Sequence, residues 1–228
     1  MGDASGWDAD ITVGNRLARN HVCLLARCRA ADELFPELLG LVKLWCRKRG
    51  LDLLAGRKTS SFAFTLLVIA FLQAEGRLPR NIASCESPAA TAGATESAGP
   101  KKEVEEKQQF VAEGRDSAVM ATLLAGFFRF GALTDWSKYA CSVGQGGIVR
   151  RDELEGCGCG DWTGMDAMAI VDPEDGLYNV ASHVTPRALS VIKAEMCRGF
   201  SLMRDACCLL ESTMRASPVY SLRKKAAL

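Results

Sequence analysis

The stretch Thr59–Gln73, TSSFAFTLLVIAFLQ, limits the fold more than any other part of the chain. Its apolar centre, Phe62 to Leu72, is eleven residues long, about half of the roughly 20 that a transmembrane helix requires. It is apolar on nearly every face, so it belongs inside a protein rather than on its surface. A buried central helix from about Ser60 to Ala74, enclosed by other helices, satisfies both constraints. At 228 residues the chain is long enough to supply those neighbours and a core. Hydrophobic content of 48% and charged content of 24% are those of a soluble globular protein, and no membrane partner is expected.

The neighbours are readable from helical spacing. A short β-branched stretch, Asp10 to Val13, is a candidate strand, and a helix follows from about Leu17 to Arg29. Asp32 is the expected N-cap of a second helix that tolerates Pro36 in its first turn, ends at Gly50 and carries the stripe Leu34, Leu38, Leu41, Val42 and Trp45. Residues 84–117 are rich in Ala, Ser, Gly and Glu with almost no large apolar groups, and read as a disordered insertion. Beyond it, Val119 to Leu133 reads as a helix, Trp136 to Asp175 as irregular or short-stranded. The last helix is capped by Thr185 and opened by Pro186, with Leu189, Ile192, Met196, Phe200, Met203, Cys207 and Leu210 on one stripe.

Ten cysteines without a secretory signal do not form a disulfide framework. Cys157 and Cys159, and the adjacent Cys207 and Cys208, lack a CxxC partner, and the only histidines are His21 and His183, so structural thiols in a reducing compartment are expected. The N-terminal MGDASGWDAD has neither an apolar core nor an Arg-rich amphipathic character, and a cytoplasmic location is expected, with mitochondrial and nuclear ones left open. The net charge of +1 conceals a basic region: Ile11 to Lys58 holds ten Lys/Arg against four acids. Such a region suits a phosphate-bearing partner, although it also describes solvated helix faces.

Four groups of residues carry possible chemistry. Lys43 and Arg47, four apart on one helix, project from one face about 6 Å apart at Cβ, where two cations can straddle adjacent phosphates or simply face water with Lys48 and Arg49. Ser60 and Ser61 open the buried helix, where free N–H groups favour an anion, and Phe62 offers a flat face on which a base could stack. Asp10 with Asn15 could serve a metal-assisted reaction or a turn. The run VDPEDGLYNV places Asp172, Glu174 and Asp175 before Tyr178 and Asn179 in what reads as an exposed acidic turn.

The order of DITVGNRLA, LLA, LVKLWCRKRGL, TSSFAFTLLVIAFLQ, LP, LLAGFFRFGA and VDPEDGLYNVAS, across roughly Asp10 to Leu210, resembles the terminal nucleotidyltransferases of the DNA polymerase β-like superfamily. Within them it is most similar to the terminal uridylyltransferases and PAP-associated poly(A) polymerases that act on RNA 3′ ends. The resemblance implies an α+β, predominantly helical fold: a helical central domain plus the PAP-associated region, with a remnant of the palm sheet. Residues 1–16 would be that remnant, 17–83 the helical nucleotide-binding part, 118–214 the PAP-associated region and 215–228 a loose tail. It implies Asp10 as the third catalytic carboxylate and a metal ligand, and Asn15 as a nucleotide contact. Lys43 and Arg47 would hold the triphosphate, Ser61 would hydrogen-bond a phosphate, and Phe62 would stack on the base. Asp172 and Asp175 would read the base edge through water, and Tyr178 stands where uridine-preferring members often have His.

Partners implied by the resemblance are UTP or ATP, an RNA 3′ end, and Mg2+ or Mn2+. Several positions depart from it. His21 and Val22 stand where Asn and Ser or Thr are usual, with Asn20 displaced by one, and Glu174 replaces a usual Phe. The paired DxD carboxylates and Gly-Ser helix start of the palm are not found before Asp10. The expectation is an RNA 3′-terminal nucleotidyltransferase in truncated form, transferring UMP or AMP and inactive as this chain alone. The alternative is a catalytically dead paralogue that binds nucleotide or RNA, or acts as a scaffold.

Overall fold

A computed structural model of the chain describes residues 15–51, 61–84, 106–155 and 166–216, with side chains described throughout except at 106–116, 155 and 207–216. The candidate strand at Asp10–Val13, and with it Asp10, lies outside the described residues, as do Cys157 and Cys159.

Helix α1 (Arg16–Ala31) begins where the Asn15 side chain accepts the Ala18 N–H at 3.0 Å, and buries Leu24 and Cys28. Helix α2 (Phe35–Lys48) starts three residues after Asp32, with Pro36 in its first turn. Asp32 is therefore not its N-cap. It closes the connecting turn instead, with Oδ1 accepting the Leu34 N–H at 2.9 Å, because its carboxylate is also gripped by Arg77. Helix α3 (Ser61–Ala74) is the central element: every residue from Ala63 to Gln73 is buried. That position is what an all-round apolar helix demands.

Helix α4 (Glu106–Leu133) starts well upstream of Val119, inside the segment read from composition as a disordered insertion. Residues 106–118 include two each of Glu, Gln and Ala, with Lys107 and Arg115, all good helix formers, and a helix already anchored by Met120, Leu123 and Phe127 extends at one hydrogen bond per residue without a new nucleus. A hairpin follows: β1 (Tyr139–Ser142) pairs antiparallel with β2 (Gly147–Arg150), Tyr139 opposite Arg150 and Ser142 opposite Gly147. Helix α5 (Arg151–Glu155) is short, and α6 (Pro186–Ala216) packs along α4. The expected cap of α6 is present, with Thr185 Oγ1 accepting the Ala188 N–H at 3.2 Å.

The hairpin lies on α3, where buried Gln73 donates through Nε2 to the carbonyls of Pro79, Arg80 and Val143, each at 3.1 Å. A bridge from Cys141 to Ile170 attaches the segment leading to residue 172 to this hairpin, and a second bridge, Val171 to Asn179, closes the two sides of the turn that follows. One apolar core joins α1, α2, α3, α4, β1 and α6, through Leu24, Val42, Leu67, Phe127, Cys141 and Ile192, and a smaller cluster of Ala140, Leu154, Ala169 and Val171 packs α5 against the hairpin. The architecture is α+β and mostly helical. No helix among the described residues is long and apolar enough to cross a membrane.

Candidate functional site

Asn20 and His21 sit one turn before buried Leu24 on α1, which leaves both half-buried at the edge of the core. Across from them is the turn after Val171. Buried Asn179 holds the base of that turn: its Oδ1 accepts the N–H groups of Ile170 and Ala181, both at 2.9 Å, and its Nδ2 donates to Met168 O at 3.0 Å and Asp166 Oδ2 at 2.7 Å. Asp172 shapes the turn itself, with Oδ1 accepting the N–H of Glu174 at 2.9 Å and of Asp175 at 3.4 Å. Asp175 repeats the device on Leu177 N–H at 3.1 Å. Side chains of this kind fix turns by standing in for backbone acceptors.

Two side-chain bonds cross from α1 to this turn. His21 Nε2 lies 3.0 Å from Asp172 Oδ1, a contact the carboxylate accepts from the ring N–H. Asn20 Nδ2 donates to Glu174 Oε2 at 2.5 Å. The third wall is the head of α3: the Phe62 ring lies against His21, centroids 4.1 Å apart and planes tilted by 30°. Residues distant in sequence thus form one polar and aromatic cluster where α1, α3 and the 172–179 turn meet.

The structure brings some of the expected site residues together and not others. Phe62 and Asp172 belong to the cluster, both through His21. Asp175 and Tyr178 are exposed on the outer side of the turn, and Ser61 is exposed at the first position of α3. Asn15 caps α1, so its side-chain oxygen is committed to backbone. On α2, Val42 and Cys46 turn inward, while Lys43 is half-buried and Arg47 exposed one turn apart. Neither cation forms an ion pair or side-chain hydrogen bond with another described residue. Their neighbour Trp45 packs edge-on against Phe64 of α3, centroids 6.1 Å apart, and against Phe128 of α4 at 5.0 Å.

Asn20 and His21 are not candidates on sequence grounds, and Glu174 enters only as one acid of the 172–175 run, although all three stand at or beside a departure from the family pattern. That clustering of departures was the available signal. Burial pushes the Cys28 and Cys141 thiols up to about 12, so both are packing groups. Among the described residues no group of three or more His, Cys, Asp or Glu could hold a metal ion.

The described fold is shared by solved terminal uridylyltransferases. RNA editing TUTase 1 from Trypanosoma brucei in complex with UTP superposes with a TM-score of 0.60 at 20% identity, over 82% of this chain and 40% of that one. Cid1 in complex with its short product ApU gives a TM-score of 0.60 at 21% identity, over 83% and 57%. The sequence itself is 28% identical over 221 residues to the speckle targeted PIP5K1A-regulated poly(A) polymerase of Ailuropoda melanoleuca, covering 88% of this chain and 24% of that protein. The chain is related to the terminal nucleotidyltransferases, and spans about a quarter of the length of the curated relatives it matches. No family model matches it.

Proposed function

We propose that this chain binds a nucleoside triphosphate, UTP or ATP, as the nucleotide-holding part of an RNA 3′-terminal nucleotidyltransferase. The reaction joins UMP or AMP to an RNA 3′-hydroxyl: the hydroxyl oxygen bonds to the α-phosphorus, and pyrophosphate leaves. Lys43 and Arg47 hold the triphosphate, the Ser61 hydroxyl hydrogen-bonds to it, and Phe62 provides the surface for the base. Arg supplies a planar fork and Lys a point charge, which together suit a polyphosphate. The observation that carries this reading is the meeting of α1, the aromatic head of α3 and the 172–179 turn at one place, in a fold shared with nucleotide-bound TUTases.

The test is calorimetric titration of the chain with UTP and with ATP, beside the Lys43→Ala/Arg47→Ala variant. Saturable binding is expected, weakened at least tenfold by the double substitution, since hydrogen bonds to charged groups contribute about 1.5–3 kcal/mol each. Binding indifferent to both cations would overturn it.

A second reading is a nucleotide- or RNA-binding scaffold without chemistry. The changes at His21, Val22 and Glu174 favour it, because Glu174 engages the displaced Asn20 and His21 engages Asp172. Extension of a labelled RNA by the protein with UTP or ATP and Mg2+ separates the two, since a scaffold adds nothing.

A further inference from the structure

One face of the Phe62 ring is covered by a ring of the protein's own. His21 lies on it at a centroid distance of 4.1 Å and a tilt of 30°, closer than aromatic pairs commonly approach. The His21 ring is held there by buried Asp172 at 3.0 Å, and Asn20, the preceding residue, is held by Glu174 at 2.5 Å. Asp172 Oδ1 meanwhile accepts two backbone N–H groups of its turn. A base stacking on this face of Phe62 would need the volume that the imidazole fills, and its edge would meet an Asp172 oxygen that already has three donors.

We propose that His21 is an internal occupant of the base platform, latched by Asp172, so that the chain takes a nucleotide by its polyphosphate and does not select the base until His21 is displaced. This rests on the reading of Phe62 as the base-stacking residue. Its ligand class is polyphosphate-bearing nucleotides irrespective of base. His21 then acts on specificity through Phe62 and Asp172.

The experiment compares the wild-type chain, His21→Ala and His21→Asn, each titrated with sodium tripolyphosphate, UTP, ATP, and the nucleosides uridine and adenosine. Asn retains a donor toward Asp172, and thermal melts show which variants remain folded. Wild-type protein is expected to bind tripolyphosphate, UTP and ATP within about threefold of one another and to ignore the nucleosides. Freeing Phe62 is expected to raise UTP or ATP affinity about tenfold, leave tripolyphosphate unchanged and permit nucleoside binding, because base stacking on an aromatic side chain is substantial. Wild-type protein that binds UTP or ATP tenfold more tightly than tripolyphosphate overturns the latch. So do variants that gain nothing for either nucleotides or nucleosides. The nucleosides carry no phosphate, so a gain in their binding supports the latch even where tripolyphosphate binding proves independent of Lys43 and Arg47. That last result would instead overturn the phosphate assignment.

Discussion

Asp32 illustrates how one side chain can serve a turn and a distant contact together. It is 6% exposed. Its Oδ2 accepts from Arg77 Nε at 2.6 Å and its Oδ1 from Arg77 Nη2 at 2.9 Å, besides the Leu34 N–H. Burial by itself would raise its pKa, but the Arg77 guanidinium and the turn N–H groups outweigh it and hold the carboxyl below the usual range. Asp32→Asn would leave the partly exposed Arg77 without its carboxylate. A loss of about 2 kcal/mol of stability, read by urea denaturation, is expected. The sequence marks Asp32 as a helix cap, whereas it serves the turn before α2. Its partner is not legible in the sequence, because Arg77 lies 45 positions away and nothing local marks the pair. His21 was overlooked for the same reason, since Asp172 is 151 positions distant. Residue types at helix ends are set by neighbours one to four positions away and so can be read, whereas tertiary partners cannot.

Between elements, the crossing of α4 and α6 depends on two glycines. A Cβ on Gly199 of α6 would lie 2.8 Å from the Phe128 ring, and one on Gly131 of α4 would lie 2.1 Å from Met196 Sδ. The Phe128 ring is the less yielding obstacle, since it is buried and also packs on Trp45 and Phe127. Alanine at residue 199 would gain about 1 kcal/mol of helix propensity, but overpacking a core costs about 1–3 kcal/mol. Gly199→Ala is therefore expected to be destabilising overall, with a lower melting temperature, whereas exposed Gly40, with nothing near its Cβ, should accept Ala with a gain. The stripes of α2 and α6 and the uniform apolarity of α3 made these helices legible. The upstream part of α4 has no apolar stripe, so the sequence does not mark where that helix starts.

At the scale of the molecule, two ion pairs join parts that are far apart in sequence, and both give an acid-sensitive stability. Arg77–Asp32 ties the segment after α3 to the α1–α2 turn. Arg49, just after α2, donates to Glu195 of α6 at 2.7 and 2.8 Å, and Arg198 adds a further bond at 3.0 Å. Hydrogen bonding from Arg49, with a contribution from Arg198, lowers the Glu195 carboxyl from 4.5 to about 2. A carboxylate whose folded pKa is depressed binds fewer protons in the folded state than in the unfolded one. Its stabilisation is complete above the unfolded value and is lost as pH falls toward the folded one. For Glu195 that window runs from 4.5 down to about 2, and Asp32 acts in the same direction from 3.8 downward. Chemical denaturation between pH 6 and pH 2 should therefore show stability nearly level at first and then falling steadily with acid. The Glu195→Gln/Asp32→Asn protein should start less stable at pH 6 and lose less on acidification, so that the two curves converge at low pH. Parallel curves would mean that these two carboxylates do not govern the acid response, and that other acids of the chain do.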